Sequence, residues 1–308
     1  MDNVNDFFAT LSSYLWGWPM IVLLLGTHVF LSVRLRFPQR KLFTAIHLSV
    51  QRDKSQKGDV SQFGALATAL AATIGTGNII GVATAVALGG PGAVFWCWLT
   101  GVLGISTKYS EALLAIKYRV KSEKGHMLGG LMYTLERGLG WRKMGILFAV
   151  FTAIAAFGIG CTVQANAIST IMHASYGIST SVSGAVLMLL AAAVILGGVR
   201  SISKVCSMLV PFMALLYVLG CIYILCMNVV YVVPALKLIV NSAFSPEAAG
   251  GGLAGGSVIM AARYGIARGL FSNESGLGSA PIVAAAARTK NPVRQALVSS
   301  TGTFWYTV

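Results

Sequence analysis

The chain has 308 residues, of which 56% are hydrophobic and 10% charged, and its net charge is +14. Polar side chains are too few to cover a soluble globule of this size, so the composition excludes a soluble protein and places the chain in a lipid bilayer. The positive charge suits either a nucleic acid or the inner surface of a membrane, and the positions of the basic residues decide between them.

Apolar segments along the chain are long enough to cross a bilayer as helices of about 20 residues each. The first is preceded by Asp2 and Asp6 instead of basic residues, which argues against a cleaved signal peptide. We expect 231–256 to be an external connection that ends in a glycine-rich hinge, and an eighth span to begin near 296. The predicted spans are 13–34, 62–90, 92–117, 144–172, 181–198, 205–231 and 253–287.

The basic residues fall on one side of the membrane when the spans are threaded alternately. That side holds 19 of the 23 Lys and Arg residues, in segments 34–61, 117–143, 199–204 and 288–295. By the positive-inside rule it is cytoplasmic and the N-terminus lies outside. We therefore interpret the charge as a topology signal, expect the lipid bilayer and no nucleic acid as partner, and predict a multi-pass protein of the bacterial inner membrane.

Cysteine and histidine patterns indicate no enzyme or metal centre. Neither residue type shows the paired spacing of a disulfide framework or a zinc site, and no His/Asp/Ser constellation is present. A channel would need a repeated filter-like motif, which is also missing. The residues concerned are Cys97, Cys161, Cys206, Cys221, Cys226, His28, His47, His126 and His173.

A first interruption is predicted in span 62–90, where Thr73-Ile-Gly-Thr-Gly-Asn78 places polar residues and two glycines at bilayer depth. Glycine costs about 1 kcal/mol relative to alanine inside a helix, so the span is expected to unwind within this stretch. Unwound backbone in a membrane is tolerated only where it is buried in protein or lines a cavity. The small residues around it are instead expected to serve close helix packing; they are Ala65, Ala69, Gly81 and Ala85.

A second interruption is predicted in the long span 253–287, at Phe271-Ser-Asn-Glu-Ser-Gly276. A carboxylate at this depth, Glu274, marks a functional position. We expect it to pair with Arg268 and lock the unwound turn, the alternative being a role in cation binding. The two breaks lie five spans apart on helices of opposite direction, which is typical of a transporter site at the membrane midplane.

Three further polar positions lie inside spans. Gln164 shares a helical face with Cys161 and Ile168 and either joins helices or faces a cavity. Lys108 and Glu111, near the cytoplasmic end of span 92–117, are expected to snorkel or to pair with each other. We do not expect them to take part in transport.

The segments TIGTGNIIGVATAVALGGPGAVFW, GCTVQANAIS and GIARGLFSNESGLGSAP resemble the sodium:alanine symporter family, over almost the whole chain from Trp18 to Gln295. The resemblance implies an all-α polytopic membrane protein with an inverted five-plus-five helix repeat, whose first and sixth fold helices are broken. It also implies that a small neutral amino acid, alanine or glycine, moves inward with sodium. In this scheme 13–34 is an extra helix, 62–231 the first repeat and 253–308 the start of the second.

The resemblance also implies site residues. Substrate contacts carried over from it are Thr76, Gly77, Asn78, Gln164, Phe271, Ser272 and Asn273. One sodium ion is expected near Ala71 and Ile74, with hydroxyl ligands from the eighth fold helix. A second possible ion position uses Thr73, Asn78 and Ser272. Structural or coupling roles are expected for Gly75, Arg268, Glu274 and Gly276.

If the fold helices are counted from span 62–90, the chain stops inside the seventh. We therefore expect it to be a fragment or a truncated version without helices eight to ten. Transport would then belong to a longer chain. The alternative to sodium coupling is a proton-coupled or sodium-independent carrier of the same fold, with Glu274 as the proton site.

Overall fold

The computed structural model describes residues 2–51, 58–244 and 258–307, and about 83% of the chain is helical. One short antiparallel hairpin, β1 (Val120–Lys121) with β2 (Met127–Leu128), interrupts the helices. The predicted all-helical class is confirmed. The helices are α1 Asp2–Leu15, α2 Trp18–Arg34, a 3-10 helix Pro38–Lys41, α3 Leu42–Val50, α4 Gln62–Thr73, α5 Thr76–Gly89, α6 Gly92–Lys117, α7 Leu131–Leu139, α8 Arg142–Ala155, a π-helix Ala156–Thr162, α9 Val163–Tyr176, α10 Thr180–Ile195, α11 Gly198–Met227, α12 Val229–Phe244, α13 Val258–Asn273, α14 Ala280–Ala285 and α15 Pro292–Thr307.

Several helices are suited to a bilayer. Within the described ranges, three helical stretches are long and apolar enough to cross a membrane: Asp6–Arg34, Arg142–Tyr176 and Gly198–Met227. The bent pair α4 and α5 makes a fourth if it is counted as one span. Helix α6 has 26 residues, which corresponds to about 39 Å, although it carries charged side chains. These lengths agree with the predicted membrane protein.

The segment predicted as an external connection, 231–256, differs from expectation in its first half. Helix α12 continues to Phe244. Its sequence is apolar and it contains Pro234, a residue that a helix in water tolerates poorly. The glycine-rich hinge predicted at the end of this segment lies outside the described residues.

The first predicted interruption is confirmed. Helix α4 ends at Thr73 and α5 begins at Thr76, with the two halves bent by 41°. Ile74 and Gly75 between them have extended backbone. The polar, glycine-containing stretch is therefore where the span stops being a continuous helix.

The second predicted interruption is confirmed as well. Helix α13 ends at Asn273 and α14 begins only at Ala280. The chain between them turns through left-handed backbone at Glu274 (φ 50°), Gly276 (φ 94°) and Gly278 (φ 79°). Glu274 is the unusual residue among these three, because a residue with a side chain rarely adopts positive φ.

Helix α6 lies against α13 and α15 at the centre of the bundle. The approach of α13 is close because two of its residues lack a Cβ. A Cβ on Gly265 would overlap the Ala93 carbonyl oxygen, and one on Gly269 would overlap Thr100 Oγ1. The sequence places glycine where the two helix backbones nearly touch.

The four segments predicted on the cytoplasmic side meet at one end of the bundle. Val60 forms a parallel β-bridge with Ala287. The Arg119 guanidinium donates to the carbonyls of Ala285, Ala287 and Thr289 at 2.7–2.9 Å. Segments that are far apart in the chain therefore share one end of the molecule.

Buried Asp59 adds further contacts at this end of the bundle. It lies 3.7 Å from Arg200 at the start of α11, and it accepts a hydrogen bond from the Met127 N–H at 2.8 Å. Burial lowers the pKa of Arg119, and the negative charge of Asp59 opposes that shift. One carboxylate thus connects three of the four basic segments.

Candidate binding site

A cavity of about 190 Å³ lies between the two broken helices. It is smaller than the roughly 300–1,000 Å³ of sites for drug-sized ligands, so it suits a smaller molecule. Residues from both breaks and from the helix that carries Gln164 surround it. The lining residues are Ala71, Ala72, Thr73, Asn78, Gly160, Val163, Gln164, Phe271, Ser272, Glu274 and Leu277.

The two breaks contact each other directly at this cavity. Asn78 lies in the first turn of α5 and Ser272 in the last turn of α13. The Ser272 hydroxyl donates a hydrogen bond to Asn78 Oδ1. Both residues were predicted to contact substrate, and the structure brings them together although 194 positions separate them in the chain.

The first break presents a helix N-terminus beside the cavity. Thr76 and Gly77 are the first two residues of α5, and the structure describes only their backbone. The N–H groups of Asn78 and Ile79 both donate to the Gly75 carbonyl, at 3.1 and 3.2 Å. The opening N–H groups of a helix have no partner within it and attract an anion such as a carboxylate.

Gln164 faces the cavity, as one of its two predicted roles requires. Its Oε1 lies 3.5 Å from the position a Cβ on Gly75 would occupy, so the carboxamide packs on the first break. Cys161 and Ile168, which were placed on the same helical face, do not line the cavity. Cys161 lies within the π-helix Ala156–Thr162, whereas Gln164 and Ile168 lie on the regular helix α9.

The predicted pairing of Arg268 with Glu274 is wrong. No ion pair joins these two residues in the part of the chain that the structure describes. Glu274 leaves the helix through positive φ and lines the cavity, and its carboxylate accepts a hydrogen bond from Ser279 Oγ at 2.5 Å. Arg268 stays on the helical part of α13 and lines a different cavity.

That second cavity has a volume of about 640 Å³ and lies along α5, beyond the break. It shares Val163 and Phe271 with the smaller cavity. The Phe271 ring is therefore at the boundary of the two, and it packs edge-to-face on Trp16 with centroids 6.1 Å apart. The other lining residues are Ile80, Gly81, Thr84, Thr162, Asn166, Ala167, Thr170, Ile171 and Arg268.

Asn273 lies behind the cavity wall. It is fully buried and does not belong to the lining. Its Nδ2 donates to the Thr100 carbonyl at 3.4 Å, and its Oδ1 accepts from the Ser275 N–H at 2.9 Å. The structure thus places Asn273 in the framework of the turn, whereas Gly276 supplies the turn's left-handed backbone.

The residues predicted to hold sodium are divided between two locations. Ala71 and Thr73 line the small cavity, at the C-terminal end of α4. Ile74 lines a separate cavity. The Thr73 hydroxyl donates to the carbonyls of Ala69 and Leu70, and its oxygen keeps acceptor capacity. Oxygen groups at a half-helix C-terminus are the type of ligand that sodium takes in transporters.

Sequence reasoning missed Lys108 and Glu111. Both are buried, so they do not snorkel, and the positive charge of Lys108 acts on the Glu111 carboxyl, as their expected pairing requires. Lys108 Nζ donates to the Asn273 carbonyl at 3.0 Å, and Glu111 Oε1 accepts from the Gly276 N–H at 3.1 Å. The available signal was two charges one helical turn apart inside a span, a pattern that marks function by default.

The chain is similar to several known transport proteins. The chain is 52% identical over 308 residues to an uncharacterized transporter of Haemophilus influenzae, covering 99% of this chain and 68% of the relative. It is 52% identical over 306 residues to the sodium/alanine symporter AgcS of Methanococcus maripaludis, covering 97% of this chain and 67% of the relative. A third relative is the putative sodium/proton-dependent alanine carrier protein YrbD of Bacillus subtilis, 42% identical, with 96% of this chain and 60% of the relative covered.

The family-level match extends further than any single motif. The model of the sodium:alanine symporter family matches residues 1–308, although the chain spans only about two thirds of the length of the relatives above. Together with the relatives, this match makes the chain a membrane transport protein and not an enzyme. The chain belongs to the sodium:alanine symporter family.

Proposed function

We propose that the protein takes up a small neutral amino acid, alanine or glycine, together with sodium by alternating access. The observation that carries this proposal is the 190 Å³ cavity between the two broken helices. The start of α5 offers N–H groups to the substrate carboxylate, and Asn78, Gln164 and Ser272 supply polar contacts. A cavity of this volume leaves little space for a large side chain.

Oxygen groups at the end of α4 support the proposed sodium coupling. A helix leaves its last four carbonyls without partners within it, and the Ala71 and Thr73 positions bring this end to the cavity wall. A cation there also balances the negative end of the helix dipole. The similarity to AgcS, whose name is sodium/alanine symporter, supports the same ion and substrate.

The architecture proposed for this transport is the inverted five-plus-five repeat, with 62–231 as the first repeat and 253–308 as the start of the second. The N-terminus is placed outside the bacterial inner membrane. Support comes from the clustering of Val60, Arg119 and Arg200 at one end of the bundle, on the side rich in Lys and Arg.

The test is uptake of radiolabelled alanine and glycine by the full-length protein in proteoliposomes. We expect accumulation when sodium is high outside, and loss of accumulation when potassium replaces sodium or when a sodium ionophore collapses the gradient. Serine and leucine serve as larger competitors, with leucine expected to be inactive. Uptake that does not respond to the sodium gradient would refute the proposal.

A proton-coupled carrier is the second candidate, because the Glu274 carboxylate lines the cavity and one relative is named a sodium/proton-dependent carrier. Glu274→Gln distinguishes the two, since Gln keeps the shape of the side chain and cannot ionise. A sodium-driven carrier retains its response to pH in this variant. A proton-driven carrier with Glu274 as its site loses that response.

A further inference from the structure

Two side chains in the C-terminal half of α6, Lys108 and Glu111, are buried from solvent. Lys108 is 3% exposed and Glu111 is 6% exposed, and they lie one helical turn apart. Burying a charge in a membrane protein is costly unless the charge has close polar partners. Both residues find such partners in the turn between α13 and α14, more than 160 positions away in the chain.

The partners are backbone groups at the break, one carbonyl and one N–H. Asn273 is the last residue of α13, and its carbonyl accepts from Lys108 Nζ at 3.0 Å. Gly276 lies in the turn, and its N–H donates to Glu111 Oε1 at 3.1 Å. The Lys108 ammonium therefore meets the negative end of a helix, and a Glu111 carboxyl oxygen accepts from an N–H of the turn, so two backbone groups that lipid cannot solvate have partners.

These two contacts border the part of the turn that lines the cavity. Glu274 lies between the two anchored backbone groups, and Leu277 directly follows them; both residues line the 190 Å³ cavity. Neither Lys108 nor Glu111 belongs to that lining. They act on the cavity wall through the backbone that they hold.

We propose that Lys108 and Glu111 are positioning residues that hold the turn 273–276 in the conformation that builds one wall of the ligand cavity. Ligand affinity then depends on both side chains, although neither touches the ligand. The identity of the ligand rests on the proposed function, whereas the shape of the wall does not.

The first experiment measures binding of radiolabelled alanine to the full-length protein in detergent. Glu111→Ala removes the acceptor of the Gly276 N–H, and we expect affinity to fall by about tenfold or more. Glu111→Gln keeps an oxygen acceptor in the same place, and we expect affinity within about threefold of the wild type. Equal loss in both variants would overturn the proposal, because the hydrogen bond would then not explain it.

The matched control is Thr107→Val, on the same helix. Thr107 is also buried, and its hydroxyl is 2.7 Å from His28 Nδ1 on α2, so the variant loses a buried polar contact that does not involve the turn. We expect it to lower thermal stability and leave alanine affinity unchanged. If Glu111→Ala binds alanine as well as this control, the proposal fails.

A double variant addresses the problem that one unpaired buried charge can prevent folding. Lys108→Met with Glu111→Gln removes both charges together. We expect this protein to fold and to bind alanine about tenfold more weakly, because the Asn273 carbonyl has lost its donor. Binding at the wild-type level would overturn the proposal.

A measurement without ligand distinguishes failure of this proposal from failure of the proposed function. Leu277→Cys is introduced into a background whose native cysteines, five of them within residues 1–308, are replaced by alanine. The rate at which this cysteine reacts with a thiol reagent measures the accessibility of the cavity wall. We expect Glu111→Ala to change that rate severalfold and Thr107→Val to leave it unchanged. Equal rates would refute the positioning role, whereas failure of the wild type to bind alanine or glycine would refute only the proposed function.

Discussion

The Ser272 hydroxyl donates a hydrogen bond to the Asn78 side-chain oxygen, and this contact joins the two broken helices at the wall of the cavity. Asn78 belongs to the first predicted interruption and Ser272 to the second. Neither sequence motif by itself shows that the two interruptions are in contact. The contact therefore connects the two halves of the candidate site, and its removal is the most direct test of that site.

Asn78→Ala and Ser272→Ala are each expected to weaken alanine binding by about 5- to 30-fold, the equivalent of roughly 1–2 kcal/mol. Since the two groups share one hydrogen bond, the double variant should lose less than the product of the single losses. Equilibrium binding of radiolabelled alanine measures all three. Ser110→Ala is the control, because Ser110 bonds only to the Ser106 carbonyl of its own helix among the described contacts. If the loss in the double variant equals the product of the two single losses, the two residues are not energetically coupled.

Gly276→Ala is expected to destabilise the protein by about 1–3 kcal/mol. Gly276 has φ 94°, and an added Cβ would lie 2.9 Å from Leu24 Cδ2. Gly140→Ala is the matched variant, with φ 73° and open space around the added Cβ, so it carries the strain without the clash. Thermal unfolding in detergent compares them. A larger loss for Gly140→Ala would contradict the role assigned to the contact with Leu24.

Gly269→Ala is expected to force α13 away from α6, because its Cβ would overlap Thr100 Oγ1. Overpacking of this kind costs about 1–3 kcal/mol. Gly81→Ala is the control, since its Cβ would meet only Arg268 Cδ at 4.0 Å. Denaturation midpoints of the two variants measure the difference. Similar midpoints would mean that the close approach of α13 to α6 is not important for stability.

Arg119→Lys is expected to lower stability by about 1–3 kcal/mol. The guanidinium donates to the carbonyls of Ala285, Ala287 and Thr289, and a single ammonium group cannot reach all three in this geometry. Arg137→Lys, at an exposed position on α7, is the control. Thermal unfolding at neutral pH distinguishes them, and an unchanged midpoint for Arg119→Lys would contradict the structural role of the three bonds.

Much of the architecture was predictable because it depends on local properties of the chain. The bends at Gly75 and Gly276 follow from glycine and polar residues at bilayer depth, where a continuous helix is weakest. The shared end of the bundle at Arg119 and Arg200 agrees with the distribution of positive charge along the chain.

Part of the candidate site was predictable from the resemblance to a family. Asn78, Ser272 and Gln164 were identified in this way, and the structure places all three at one cavity. Their contact with substrate stays a prediction.

Other features depend on how distant segments pack. Glu274 has positive φ and accepts from Ser279 instead of pairing with Arg268, and a π-helix forms around Cys161. Neither feature produces a periodic pattern in the sequence from which it could be predicted.

The partners of Lys108 and Glu111 are backbone groups of a turn that lies more than 160 positions further along the chain. A sequence pattern shows which segments break and which side carries charge, because those properties are local. Which buried polar side chain meets which backbone group of the turn is decided only when α6 packs against the second broken helix.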